Sequence, residues 1–418
     1  MTSGVLKHYF RNMSFTSSRD LRLVIGAKAV SFFGDEVATF ALVLRLQAHG
    51  AGAAEVAALL MANLAPIVLL AGVAGRVVDR YDNRRLLVVS SLLQAAVCGS
   101  MLLVSAPFAL LTLVALLGAG QAVNGAAWQA LLPALAGPGE LSRAVSRSQA
   151  ANTAAGIAGP ALSGVLTGWL GVAAALSVDA GTFLVVTLAA LLLRVGRSHV
   201  RRPGVRMEGG LSIVRRTPLL RSVIGLLGLL ILLGAAVNVV EVFLVRETLG
   251  ANGAWFGICA AGYSIGLLAG AMLAGRIVTT RGQALGIVVA APALSIGLCA
   301  MGLSPNVGFL LVLGALAGVG NGVLNVTANA LVMGSAAPQE RGRVAAVLSG
   351  VVSGCLLAAY AIGGAVATAL TPREVFVVAG VLGALAPLLV ARTVLRAATA
   401  HERVSAERDA AGLERVAP

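Results

Sequence analysis

Ser222-Val-Ile-Gly-Leu-Leu-Gly-Leu-Leu-Ile-Leu-Leu-Gly-Ala-Ala-Val-Asn-Val-Val-Glu-Val-Phe-Leu-Val-Arg246 carries one charge, Glu241, between Arg221 and Arg246. A helix needs about 20 apolar residues to cross the hydrocarbon core of a bilayer, and this stretch supplies them. Runs of the same kind fill the 418-residue chain, roughly at 22–47, 53–78, 85–105, 107–134, 142–168, 172–194, 222–246, 254–276, 284–303, 307–333, 343–369 and 374–396. They are too long for membrane strands and lack the alternation of a barrel. The sequence therefore predicts an all-α membrane protein of twelve transmembrane helices.

Composition agrees. Hydrophobic residues make up 58% and charged residues 11%, with a mean hydropathy of +0.92. A soluble domain carries about 25% charged residues. The net charge of +14 would suggest nucleic acid in a soluble chain, but aromatics for stacking are only 4%. No nucleic-acid partner is expected. The basic residues instead gather in alternate connections. Lys7, Arg11, Arg19 and Arg22 precede the first run, and Arg76, Arg80, Arg84 and Arg85 follow the second. Arg194, Arg197, Arg201, Arg202, Arg206, Arg215, Arg216 and Arg221 cluster between the sixth and seventh runs. Positive residues stay inside, so both termini and the central loop are expected in the cytoplasm, in a multi-pass protein of the inner membrane. Met1 to Arg22 has no apolar core or cleavage site, so the first run reads as a retained span rather than a signal peptide.

The chain divides at its basic centre: 1–194, a loop at 195–221, 222–396, and a tail at 397–418. The halves echo each other at an offset near 200 residues. Gly34 matches Gly234, Ala74-Gly75-Arg76 matches Ala274-Gly275-Arg276, and Gly118-Ala-Gly120-Gln121 matches Gly318-Val-Gly320-Asn321. Two pseudo-symmetric six-helix bundles follow, a plan used by transporters. Within the loop, Glu208 begins a segment that reads as a short amphipathic helix at the cytoplasmic interface.

Two motifs stand out. Gly75-Arg-Val-Val-Asp79-Arg80-Tyr-Asp-Asn-Arg84-Arg85 places a carboxylate at the membrane edge before a basic cluster. Gly156-Ile-Ala-Gly159-Pro160-Ala-Leu-Ser163-Gly164 gives the fifth run a proline flanked by small residues, which permits a bend and close packing. With these motifs the chain resembles the major facilitator superfamily. The first is similar to its G-x-x-x-D-R-x-G-R-R/K gate pattern, with Asp82 in place of the second glycine and the final basic pair shifted by one residue. Thr279 replaces the aspartate in the second-half copy. The other is similar to the antiporter pattern G-x-x-x-G-P-x-x-G-G. Ser31-Phe-Phe-Gly34-Asp35, Asp179 and Gln339-Glu-Arg341-Gly342-Arg343 further resemble the drug:proton antiporter branch that includes enterobactin and macrolide exporters. The resemblance implies a major facilitator fold, alternating access and a cytoplasmic gate at Gly75, Asp79, Arg80, Arg84 and Arg85. It also implies an antiporter helix at Gly159, Pro160 and Gly164. Many family antiporters use an arginine in span four; Leu113 to Asn124 contains none.

Charges inside the runs are the first functional candidates, because each costs about 2.5–3.5 kcal/mol at bilayer centre on insertion scales. Asp35 and Glu36 are adjacent in span one, so at most one faces squarely into a cavity. Asp35 is the favoured proton-titrating or substrate-facing acid; a structural bond or a partnership with Lys28 is its alternative. Glu241, with Asn238 one turn earlier, is the second-half candidate. Gln121, Asn124, Asn321 and Asn325 are expected to line the cavity, and Phe32 and Phe40 to solvate an apolar cargo.

No ATP site, metal-ligand pattern or catalytic motif appears, so no cofactor and no enzymatic activity are expected. The four cysteines lie in apolar runs and form no CxxC pair. The predicted function is proton-coupled export of amphipathic drugs, siderophores or secondary metabolites. A lipid or lysophospholipid flippase, a nutrient facilitator and a non-transporting receptor are its rivals. The expected partners are a small-molecule substrate, protons and membrane lipids, with the protein acting as a monomer.

Overall fold

The computed structural model describes residues 3–104, 106–136, 140–193, 208–336 and 340–414. Gln339 and residues 195–207 of the central loop lie outside them. The described residues form helices without a strand. The first half holds α1 (Ser3–Ala48), α2 (Ala53–Leu69), α3 (Ala71–Arg80), α4 (Asn83–Ser100), α5 (Pro107–Leu135) and α6 (Leu141–Leu192). The second holds α7 (Glu208–Arg216), α8 (Pro218–Phe243) with a π-helical turn over Leu244–Thr248, α9 (Gly253–Ala274), α10 (Thr280–Gly302), α11 (Val307–Gly334), α12 (Arg341–Val366) and α13 (Pro372–Glu414).

Each of the twelve apolar runs overlaps a helix. Seven described helices are long and apolar enough to cross a bilayer, or nine when each of two bent pairs is one span. α1 and α4 fall outside that count and carry polar side chains within their runs: Lys28, Asp35, Glu36 and Arg45 in α1, and Ser90, Ser91 and Gln94 in α4.

The structure refines four of the predicted runs. Run 53–78 is bent by 50° between α2 and α3. Pro66 cannot donate to the carbonyl one turn earlier, which weakens the helix just before the bend. Run 85–105 ends its helix at Ser100. Runs 142–168 and 172–194 are joined directly, with no loop between them, and Gly171 breaks the helical backbone at φ 80°. Gly156, Gly159 and Ser163 meet Phe32, Glu36 and Val37 in ascending order. Beyond Gly171 the order reverses: Ala175 packs with Val37 and Ala41, and Asp179 and Thr182 lie against Gly34. The chain turns back at Gly171, where only glycine adopts the required backbone freely.

The chain forms two compact units, Met1–Pro203 with Asn252–Ile258, and Gly204–Ala251 with Cys259–Pro418. In the first, α1 and α4 pack on α6, and α2 and α4 on α5. In the second, α8 packs on α12 and α13, and α10 on α11 and α13. Counted by apolar run, the first run of each half packs on the fifth and sixth, and the third on the fourth and sixth. A methyl on Gly118 would lie 2.2 Å from the Asn63 carbonyl oxygen, and one on Gly318 2.1 Å from that of Tyr263. Both residues of each contact are offset by 200, so the repeat holds in the helix contacts themselves.

The short helix predicted at Glu208 is α7. Its inward side rests on protein: Val214 is buried, and Gly210 sits against the Arg343 carbonyl and the Val347 side chain of α12. Leu211, Arg215 and Arg216 remain exposed.

Candidate functional site

In the first unit α1, α2, α5 and α6 enclose a cavity lined by Asp35, Thr39, Asn63, Gln121 and Asp179 among apolar walls. Only about 20 Å3 of it accepts the centre of a water molecule, which is room for about one water. Gln121 is the side-chain hydrogen-bond partner of Asp35. Asp179, 1% exposed, accepts from Thr182 Oγ1 at 3.3 Å and from the Cys98 thiol at 3.5 Å. Among the described residues, no cation lines the cavity. Lys28 sits about 10 Å along α1 from Asp35, two turns away.

Adjacent positions on α1 send the two acids apart, as the 100° step requires. Asp35 lines the cavity, whereas the Glu36 Cβ rests where a methyl on Gly159 would stand, 2.5 Å from that position. Gly34 has a specific reason: a methyl there would lie 2.5 Å from Asp179 Oδ1 and 2.4 Å from Thr182 Oγ1. Its absence lets α6 bring Asp179 beside α1.

Asn124 is placed elsewhere. It is buried between α4 and α5, where Ser90 donates to its oxygen and its amide donates to Gln94 and to Ser91, the latter at 3.4 Å. Gln94 continues the network to the Leu117 carbonyl at 3.3 Å. Phe40 meets Phe256 with ring centroids 5.1 Å apart, and Phe32 is exposed beside Gly156.

The second unit has its own polar group. Asn321 donates to the Tyr263 hydroxyl at 2.8 Å, and Asn325 donates to Asn321 Oδ1 at 2.6 Å. Glu241 is the neighbouring acid of Tyr263 and Cys259. It sits three residues before the π-helical turn, a distortion frequent at functional sites. Asn238 is exposed on α8.

In the gate motif α3 carries Gly75, Asp79 and Arg80, with Asp79 and Arg80 exposed. Asp82, the departure from the family glycine, caps α4 by accepting from the Arg85 N–H at 3.1 Å. Arg84 donates to the Leu191 carbonyl of α6. In the antiporter-like motif Pro160 and Gly164 meet the start of α9. A methyl on Gly257 would lie 2.5 Å from the Pro160 carbonyl oxygen, and one on Gly164 2.9 Å from the Gly257 Cα.

The model of the Major Facilitator Superfamily matches residues 24–252 and 224–416. The chain belongs to the major facilitator superfamily. A relative within it is the uncharacterized MFS-type transporter YfiS of Bacillus subtilis (strain 168), 24% identical over 274 residues. That match takes in 63% of this chain and 65% of the relative's length. Among solved structures, a bacterial homolog of the human lysosomal transporter Spinster, inward-facing and occupied, superposes with a TM-score of 0.71 at 14% identity. It covers 91% of this chain and 98% of its own. The nucleoside transporter NupG gives 0.68 at 12%, covering 88% and 98%. A POT family transporter in complex with 5-aminolevulinic acid gives 0.70 at 12%, covering 91% and 96%. At these identities the likeness is one of fold. This is a multi-pass membrane protein with the fold of a transporter family.

Sequence reasoning passed over several residues of the site. Asn63 and Cys98 are single polar positions in apolar runs. Tyr263 was detectable through the repeat, since it lies 200 residues after Asn63 as Asn321 lies 200 after Gln121. Arg45 reads as a snorkelling side chain, but it donates to the Met101 and Val104 carbonyls at 3.1 and 2.6 Å, closing the end of α4.

Proposed function

We propose that the protein is a proton-coupled exporter of amphipathic or cationic small molecules, working by alternating access between its two six-helix halves. The reading takes twelve spans, an inner-membrane location with both termini cytoplasmic, and a monomer. Its main support is the small cavity of the first unit, where Asp35 meets Gln121 with no cation among the described lining residues. A water-sized space suits a proton and not a drug-sized cargo. The carboxyl provides an exchangeable site on the helix that also packs against the Gly159–Gly164 motif. In the second unit Glu241, Tyr263, Asn321 and Asn325 provide an acid with oriented polar groups, suited to the positive end of a cargo.

Asp79 and the Arg80, Arg84 and Arg85 cluster would hold the cytoplasmic gate. Arg84 is already anchored to the end of α6.

The test is reconstitution in liposomes with a trapped pH dye and a panel of lipophilic cations and siderophore-like compounds. Wild type should move protons against cargo, Asp35→Asn should abolish that movement, and Glu36→Gln should retain it. Cargo flux without proton movement would sink the coupling and favour a facilitator or flippase. Binding without flux would favour a receptor.

A further inference from the structure

Asp179 is nearly fully buried in α6, far from the gate and outside both family motifs. A buried carboxyl is costly unless it is compensated. Its compensation is modest: one hydroxyl, Thr182, shared with the Asp179 carbonyl at 2.7 Å, and one thiol, Cys98, shared with the Leu176 carbonyl at 3.2 Å. Thiols are weak donors. Across the water-sized cavity stands a second carboxyl, Asp35, held by Gln121. Gly34 makes the approach possible, since any side chain there would displace Asp179. We propose that Asp35 and Asp179 form one site that binds a single exchangeable proton between them. The inference rests on the reading of Asp35 as the coupling acid, and it supplies the second carboxyl that reading lacks.

The argument is electrostatic. Two carboxylates facing one small cavity, with no cation in its lining, repel each other strongly in a low-dielectric surrounding. One proton removes the repulsion and makes the protonated member a donor, directly or through the one water the cavity admits. The remaining charge keeps the donors already present: Gln121 on one side, Thr182 and Cys98 on the other. The other titratable groups around the pair are Glu36 on α1 and Cys98 on α4. α2 and α5 contribute only the neutral Asn63 and Gln121. A group bound this way titrates as a pair, and its behaviour belongs to neither residue alone.

A purely structural Asp179 would act as a packing ligand between α4 and α6 through Cys98. The two roles separate by experiment. Full-length protein in lipid nanodiscs would be titrated with pH and followed by infrared difference spectroscopy in the carboxylic-acid carbonyl region. In wild type a carboxylic-acid band should appear and vanish in one step. Asp35→Asn should replace that step by one at a different midpoint, that of Asp179 alone. Asp179→Asn should leave a titrating band whose midpoint moves by about one pH unit or more, while Cys98→Ala moves it far less. An unmoved midpoint in Asp179→Asn, or an equal shift in Cys98→Ala, overturns the shared site. Where Asp179→Asn does not accumulate, Asp35→Asn gives the reciprocal reading. The Asp179 band should then titrate at a midpoint of its own; one unchanged from wild type overturns the proposal. No cargo is present, so the outcome is separate from transport. Proton-linked flux with an unmoved midpoint defeats this inference alone. A moved midpoint without proton-linked flux defeats the export reading and leaves the shared site standing.

Discussion

The two units share a helix-packing plan but not their acids. Gly118 against Asn63 and Gly318 against Tyr263 repeat the same backbone contact 200 residues apart. Gln121 and Asn321 occupy equivalent positions beside them. At the same offset, however, Asp35 corresponds to Ala235, Asp179 to Ala379 and Glu241 to Ala41. The contacts that hold the helices were kept in both halves, and the charges were distributed separately. Close glycine contacts concern the fold, whichever half they are in. An acid in one half with alanine at its counterpart is not required by packing, so its cost points to function.

The comparison can be broken at several points. The largest effect is expected at the paired glycines. Gly118→Leu and Gly318→Leu each force a side chain into a carbonyl about 2 Å away and should cost on the order of 3 kcal/mol or more. Thermal unfolding in detergent should show similar losses; a tolerated Gly118→Leu beside a lethal Gly318→Leu would break the symmetry of the units. Next come the acids. Asp35→Asn should lower proton-linked flux at least about a hundredfold, of the order expected for loss of a proton-transfer group, while leaving the melting temperature near wild type. Loss of folded protein instead would make Asp35 a structural residue.

A smaller effect is expected at Arg45. Its two carbonyl bonds close the end of α4 in the first unit, so Arg45→Leu should destabilise by about 1.5–3 kcal/mol, read in the same melts. Asn321→Ala removes the Tyr263 bond and should cost about 0.6 kcal/mol, the average for a bond between membrane helices. Gln121→Ala should instead alter the pH profile of flux, because its partner is a carboxyl and not a tyrosine. Equal behaviour of the two amide variants would show that the amides serve packing in both units. The smallest effect is at the gate: Asp82→Ala should lose about 1 kcal/mol of α4 capping, whereas Asp82→Gly, which restores the family residue, should lose only a few tenths.

Much of this was legible in the sequence. Apolar runs of bilayer length specified the helices, and an offset near 200 marked the repeat that the Gly118 and Gly318 contacts carry, because hydropathy and glycine placement are local properties. The proline and glycine motifs marked the helix that packs against α1. Asp35 and Glu241 stood out for the same reason: a charge in an apolar run is visible without coordinates. What stayed hidden were the partners. Asp179 and Cys98 lie 81 positions apart in the chain, and their meeting depends on the reversal of α6 at Gly171. The separation of Asp35 from Glu36 was foreseen as a rule of helix geometry, but which neighbour each would meet was not. Asn124 shows the limit most plainly. Its polarity in an apolar run marked it for an interior position, and only the packing of α4 on α5 turned it toward Ser90, Ser91 and Gln94 and away from the cavity. The sequence determined that these helices cross a membrane and that few positions in them carry polar groups. The tertiary structure decided which of those groups share a cavity, since that depends on contacts between residues far apart in the chain, set by where glycine lets helices touch.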